Sequence, residues 1–136
     1  MLLVDTNIWL AAADRRSDRH LVCTAVLLDH RDDLAAPVPV IAETSWLILD
    51  RLGPAAQRDF LQLVVTGRLD AVDLDAGDWR RCAELIDRYA DLRLDLMDAS
   101  IVAVAERTAA TTIATFNHRD FRVVRPRHCD AFQLIP

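Results

Sequence analysis

Leu2-Leu3-Val4-Asp5-Thr6-Asn7 opens the chain, and Ile8-Trp9-Leu10-Ala11-Ala12-Ala13 follows at helical spacing. Three apolar residues stop abruptly at an acid, a hydroxyl and an amide. This is the pattern of a buried parallel strand running straight into a helix. In an open parallel sheet the ligand crevice lies beyond the carboxyl ends of the strands, so Asp5 stands where a functional group is placed. Asp, Thr and Asn are also common helix caps, and the stretch alone admits both readings. Some familiar owners of a strand-end Asp are excluded. A phosphatase of the haloacid-dehalogenase type needs a second Asp two residues on, where Asn7 stands. A receiver domain needs a lysine, and the chain has none. The same absence, with only 3 glycines, removes a Walker-type phosphate loop. No Gly-x-Gly-x-x-Gly is present, which argues against a dinucleotide site.

Outward from this start, strands and helices alternate. The first helix is predicted over Thr6 to Ala13 and a second from about Asp18 to His30, with Leu21, Val22, Ala25, Val26 and Leu28 giving it an amphipathic pattern. Leu34-Ala35-Ala36 reads as a short strand closed by Pro37 and Pro39, and a third helix runs from Val40 to Leu52. Gly53-Pro54 breaks it. Ala55 to Val65 forms a fourth helix with Phe60, Leu61, Val64 and Val65 inward, and Arg68 to Val72 forms a strand. Asp75 or Asp78 caps the next helix, through Tyr89. The last long helix starts near Asp95 and Asp98 and runs to about Arg107. Thr111 to Thr115 is a strand, Phe116 to Phe121 a polar loop, and Phe132 to Ile135 a last short strand at the sheet edge. The alternation predicts one domain over residues 1–136, a three-layer α/β/α fold around a mostly parallel sheet of four to five strands.

With 136 residues there is no room for a second core, and 52% hydrophobic residues suffice for one. The net charge of −5 argues against a generic nucleic-acid coat, but not against a nuclease whose acids are neutralised by metal. Every basic residue other than histidine is arginine, which suits bidentate contacts to phosphate. Cys23, Cys82 and Cys129 are odd in number and form no C-x-x-C pair. They read as reduced thiols of a cytoplasmic protein rather than as a zinc site. The first strand begins at the amino terminus, leaving no room for a signal peptide. No apolar run reaches the roughly 20 residues of a membrane helix.

Within this frame the acids do not scatter. Asp5 ends a strand. Glu43 and Asp98 lie early in two strongly apolar helices, and Asn117 and Asp120 follow another strand end. Each has a local explanation: Glu43 pairs with an arginine or faces solvent, Asp95 is an N-cap and Asp98 its capping-box partner. Taken together, acids on core elements must converge on a shared partner or be expelled. Several adjacent carboxylates stay ionised only if a cation joins them. Oxygen ligands without Cys or His favour Mg²⁺ or Mn²⁺, whose usual work is on phosphates. The chemistry to expect is phosphodiester hydrolysis by metal-activated water.

Val4-Asp5-Thr6-Asn7, a helix-borne Glu43, Met97-Asp98-Ala99-Ser100 running to Glu106-Arg107, and Ala114-Thr115-Phe116-Asn117-His118-Arg119-Asp120-Phe121 resemble the PIN-domain family. The likeness is nearest to VapC-type toxins of type II toxin–antitoxin systems and spans essentially the whole chain. It implies a Mg²⁺- or Mn²⁺-dependent endoribonuclease that leaves a 5′-phosphate and a 3′-hydroxyl on an RNA such as a transfer or ribosomal RNA. It also implies a homodimer silenced by a cognate VapB-type antitoxin. Asp5, Glu43 and Asp98 carry over as metal-binding acids. Asn117 stands where the family's fourth acid usually falls, a departure that removes one negative charge. Asp95 or Asp120 is a substitute acid, and Thr6, Asn7 and Thr115 are candidates for orienting the carboxylates. Arg119 and Arg122, with Arg125, Arg127, His118 and His128, are expected to form an RNA-phosphate rim, joined by Arg15, Arg16, Arg19 and His20. Trp9, Trp46 and Trp79 are expected in the core, and an antitoxin segment in a groove beside helices two to four. Two alternatives stay open: a PIN nuclease of ordinary RNA processing without an antitoxin, and a catalytically silent PIN-like binding module, which Asn117 would suit.

Overall fold

A computed structural model describes residues 1–136. Its strands are β1 (Leu2–Val4), β2 (Leu34–Pro37), β3 (Asp70–Val72), β4 (Thr112–Ala114) and β5 (Gln133–Ile135). Its helices are α1 (Thr6–Ala13), α2 (His20–Asp29), α3 (Val38–Leu52), α4 (Pro54–Val65), α5 (Ala76–Arg88), α6 (Leu96–Thr108) and α7 (His118–Val123). All five strands are parallel, in the order β3-β2-β1-β4-β5. Helices flank the sheet, so the expected α/β class and parallel sheet are both found.

The order explains the location of the site. From β1 the chain moves outward through β2 and β3, then returns to place β4 on the opposite side of β1. The strand order therefore reverses between β1 and β4, and a crevice opens beyond their carboxyl ends. Leu3 registers with Ala35 on one side and Ile113 on the other, while Val4 registers with Ala114. The Asp5 amide then donates to the Ala114 carbonyl at 2.9 Å. Leu2, Leu3 and Val4 are all buried, as are Ile113 and Ala114, so the sheet centre anchors the site rigidly.

Helix boundaries follow local chemistry. β2 keeps Pro37, and α3 starts at Val38 with Pro39 in its first turn, two residues earlier than expected, because proline fits the unbonded first turn of a helix. α2 starts at His20, later than Asp18. Gly53 separates α3 from α4 at φ 90°, a value that disfavours a side chain. Asp75 and Asp78 act together: the Asp78 amide donates to Asp75 Oδ1 at 2.8 Å, and the Asp75 amide donates to Asp78 Oδ2 at 3.1 Å. Asp75→Ala is expected to lower the midpoint of urea denaturation, because the first turn of α5 loses its cap.

Three expectations need correction. Phe116–Phe121 is not all loop, because His118–Val123 forms α7, which turns Phe121 into the core. The segment is too short and too polar for helical periodicity to register. Among the tryptophans only Trp9 is a core residue, edge-on to Phe60 at 5.5 Å between ring centroids. Trp46 and Trp79 are 63% and 51% exposed. Leu61 and Val65 of α4 are exposed rather than inward, and Leu21, Val22 and Leu28 of α2 are exposed too. Hydrophobic content on α2–α4 exceeds what one chain covers.

Candidate active site

Asp5 occupies the N-cap position of α1, yet its side chain makes no capping hydrogen bond. Its Oδ2 instead accepts from Asn7 Nδ2 at 2.6 Å and from Thr115 Oγ at 2.7 Å. The simple cap reading of Asp5 therefore does not hold. Thr6, next in sequence, donates to Glu43 Oε2 at 2.8 Å and accepts from Thr44 Oγ at 3.2 Å. The N-terminus of α1 is thus tied to α3 through Glu43, which is half-buried and joined to no arginine.

On the other side, Asp95 is the N-cap of α6, with its Oδ1 accepting from the Asp98 amide at 2.9 Å. The reciprocal bond of a capping box is not formed, because the Asp98 side chain is used elsewhere. Its Oδ2 accepts from Asn117 Nδ2 at 2.9 Å, and the same Nδ2 donates to Asp120 Oδ2 at 2.9 Å. Asn117 stands at the N-cap of α7 without capping it. Its amide group bridges two carboxylates, and its backbone N–H donates to Thr115 Oγ at 2.9 Å. Thr115 and Asn117 thereby link the acid on β1 to the acid on α6.

Glu43, Thr6, Asp5, Asn7, Thr115, Asn117, Asp98, Asp95 and Asp120 thus lie in one crevice at the carboxyl ends of β1 and β4. Thr44 belongs with them and was missed by sequence reasoning. It is fully buried and directly follows Glu43, so a hydroxyl inside an apolar helix was its only sequence signal. Arg119 and Arg122 fall on the adjacent α7 and are exposed. Arg119 Nε lies 3.3 Å from Asp120 Oδ1, whereas Arg122 is in no ion pair. Arg127 is drawn away to Glu84 at 2.7 Å.

The electrostatics are those of crowded acids. Burial, then the charges of Asp5, Asp95 and Asp120, push the Asp98 carboxyl up to about 8 from an ordinary 3.8, against the bond from Asn117. Burial also raises Asp5, with smaller contributions from Asp95 and Glu43, while bonds from Thr115 and the Thr6 backbone oppose it.

No three acidic, histidine or cysteine side chains stand close enough together to hold one ion among them. The donor set nevertheless fits Mg²⁺ or Mn²⁺. Mg²⁺ keeps most of its waters and uses one or two carboxylates rather than a full protein cage. The side-chain hydrogen bonds to Asp5 and Asp98 go to Oδ2, and that to Glu43 goes to Oε2, leaving the other oxygen of each without a side-chain donor. A divalent cation held there would offset the burial and the repulsion that raise Asp5 and Asp98.

Comparison with known proteins bears on the family and the fold. Ribonuclease VapC26 of Mycobacterium tuberculosis is 27% identical over 135 residues, 99% of this chain and 100% of that protein. VapC20 of Mycobacterium tuberculosis, a sarcin–ricin loop cleaving toxin, aligns with a TM-score of 0.77 at 18% identity, over 83% of this chain and 87% of that one. A chain of a toxin–antitoxin complex from Klebsiella pneumoniae aligns with a TM-score of 0.70 at 20% identity, over 100% of this chain and 97% of that one. At such identities the structural likeness speaks for the fold. The family pattern of the PIN domain matches residues 2–125, which include β1 with Asp5, Glu43 on α3, Asp98 on α6 and Asn117 after β4; the chain belongs to the PIN domain family.

Proposed function

We propose that this protein is a Mg²⁺- or Mn²⁺-dependent endoribonuclease, the toxin of a type II toxin–antitoxin system held silent by a cognate VapB-type antitoxin. The observation that carries the reading is the cluster of Asp5, Asp98 and Glu43 around the β1–β4 crevice, with Asp98 raised to about 8 by burial and by its acidic neighbours. The full-length likeness to a ribonuclease supports it.

Asp5 and Asp98 would hold the ion, the one or two carboxylates that Mg²⁺ takes, with Glu43 an acid of the site beside them. When bound, it supplies charge neutralisation at the scissile phosphate and activates water for attack. The remaining work falls to the chain. Thr115 and Asn7 orient the Asp5 carboxylate, and Thr6, braced by Thr44, orients Glu43. Asn117 fixes Asp98 and Asp120 at a common distance from its amide. Cleavage leaves a 5′-phosphate and a 3′-hydroxyl, and transfer or ribosomal RNA is the expected substrate. Incubating single-stranded RNA with protein and Mg²⁺ should yield those ends, and excess EDTA should stop the reaction. Undiminished cutting in EDTA overturns the metal assignment, and no cutting with either metal leaves a silent binding module.

Arg119 and Arg122 form the rim that meets RNA phosphate. The double substitution to Gln is expected to weaken RNA binding similarly for all sequences and to flatten the salt dependence. An unchanged salt slope removes them from the interface.

A protein partner is supported by the surface of α2–α4. A groove of about 510 Å³ lies among α1–α4, lined by Trp9, His20, Leu27, Ile48 and Phe60. Trp9 Nε1 and His20 Nδ1 are buried there without a hydrogen-bond partner. An antitoxin segment in this groove would cover neighbouring apolar side chains. A homodimer would cover further apolar surface. No helix is long and apolar enough to cross a membrane, and the unbridged Cys23, Cys82 and Cys129 accord with a cytoplasmic setting. Growth arrest on expression, relieved by co-expressing the antitoxin, tests this part.

A further inference from the structure

We propose that a second cleft, beside the acidic crevice, binds one nucleobase of the RNA next to the bond that is cut, stacking it on the guanidinium of Arg19. The proposal rests on the ribonuclease reading above and adds to it a determinant of base preference.

The cleft lies between α1, the end of α3 and the segment after β4. Asn7, Leu10, Asp14, Arg19, Arg51 and Phe116 form most of its lining. Arg19 Cζ sits 4.1 Å from the centroid of the Phe116 ring. A guanidinium is planar and stacks on aromatic faces, so the ring holds one face of Arg19 and leaves the other available. Unstacked RNA bases bind both to aromatic rings and to guanidinium planes.

Charge is arranged to match. Neither Arg19 nor Arg51 is in an ion pair with an acid of this chain. Asp14, the acid in the cleft wall, is occupied by Arg16, whose backbone N–H and Nε donate to its Oδ1 at 3.0 and 3.3 Å. Two free guanidinium groups therefore share one cleft, Arg19 placed for a base and Arg51 for the adjoining phosphate.

Size and position narrow the ligand. The cleft holds about 250 Å³, below the roughly 300–1,000 Å³ typical of sites that enclose whole drug-sized ligands. It suits one base, with ribose and phosphate outside. The Phe116 amide donates to Asn7 Oδ1 at 3.0 Å, and Asn7 Nδ2 donates to Asp5 Oδ2 at 2.6 Å. One side chain thus separates the stacking platform from the strand-end acid. A base held here is an immediate neighbour of the phosphate that the acids address.

The test uses single-stranded RNA with 2-aminopurine placed at successive positions. It is read in full-length protein carrying Asp98→Asn so that the RNA stays intact, while cleavage of the same RNA by the unaltered protein is followed separately. One position should brighten roughly two-fold or more on binding, because its base leaves its neighbours in the strand for a guanidinium. Adding Arg19→Ala should abolish the brightening and weaken binding roughly 5- to 150-fold, the range of one stacked base. Arg19→Lys should not rescue, because it restores the charge without the plane. Arg19 is exposed, so neither change threatens the fold. RNA that is cut, but with brightening absent or unaffected by Arg19→Ala, overturns the subsite and leaves the nuclease reading standing. Full rescue by Lys also overturns it. RNA that brightens through Arg19 but is never cut upholds the base-binding cleft and removes the nuclease reading. Neither brightening nor cutting removes both.

Discussion

Asp98→Asn is expected to lose RNA cleavage by roughly 10³-fold or more while gaining thermal stability. The loss should exceed the 10–100-fold typical of residues that merely support a metal ligand. The gain follows from the fold. Asp98 is nearly fully buried, and burial with the charges of Asp5, Asp95 and Asp120 pushes its carboxyl up to about 8 from 3.8. The folded chain therefore holds a proton that the unfolded chain releases. The stability this group contributes is full below its unfolded value near 3.8 and is lost as the pH rises through about 8. By pH 8 the ionised form costs on the order of a few kcal/mol. Asn has the same shape, keeps an acceptor for Asn117 Nδ2 and carries no charge. Its melting temperature should equal or slightly exceed that of the unaltered protein at pH 5 and exceed it clearly at pH 8. Mg²⁺ should raise the melting temperature of the unaltered protein, by linkage, and leave that of the variant nearly unchanged. Equal gains at both pH values would mean that burial and acidic neighbours do not raise Asp98. Cleavage within about tenfold of normal would place the ion elsewhere.

That a buried acid should weaken its own fold bears on which parts of the site were legible in the sequence. Asp5 could be placed because a short apolar run ending in a polar residue fixes both a strand and its carboxyl end. Asp95 was read correctly as a cap, since capping is local. The Asp98 capping-box reading fails because the fold brings Asn117, after β4, beside the first turn of α6, and there it is a better partner than the adjacent backbone. In sequence Asn117 is only the loss of one negative charge. In the structure its amide donates to Asp98 and Asp120 together, so it offsets repulsion between two acids as well as lacking a charge of its own. Trp46 shows a different gap. An apolar helix face looks the same in sequence whether its own chain or another covers it, and α3 presents Trp46 and Leu49 outward.

The largest stability effect away from the crevice should come from Glu106, which the family resemblance included without giving it a task. Arg81 of α5 is buried, and its Nε and Nη2 donate to Glu106 Oε2 and Oε1 at 2.8 and 2.9 Å, a bidentate pair between α5 and α6. Arg127 adds a backbone N–H to Glu106 Oε1 at 3.0 Å, so the segment after α7 hangs on the same carboxylate. Glu106→Ala strands a buried guanidinium with only Glu84 at 3.3 Å, half-exposed and poorly placed to replace it. The expected loss is about 3–5 kcal/mol, most of it the cost of an uncompensated buried charge. For a chain of this size that is a fall of roughly 10–20 °C in melting temperature. Replacing both partners, Arg81→Met with Glu106→Leu, leaves no charge behind and should recover most of the loss. At a temperature where Glu106→Ala is still folded, RNA cleavage should be near normal, because α6 then still presents Asp98 from its opposite end. A melting temperature within a few degrees of normal for Glu106→Ala would show that Glu84 and solvent suffice for Arg81. A double variant no better than the single one would shift the role of the pair from charge compensation to the packing of α5 against α6.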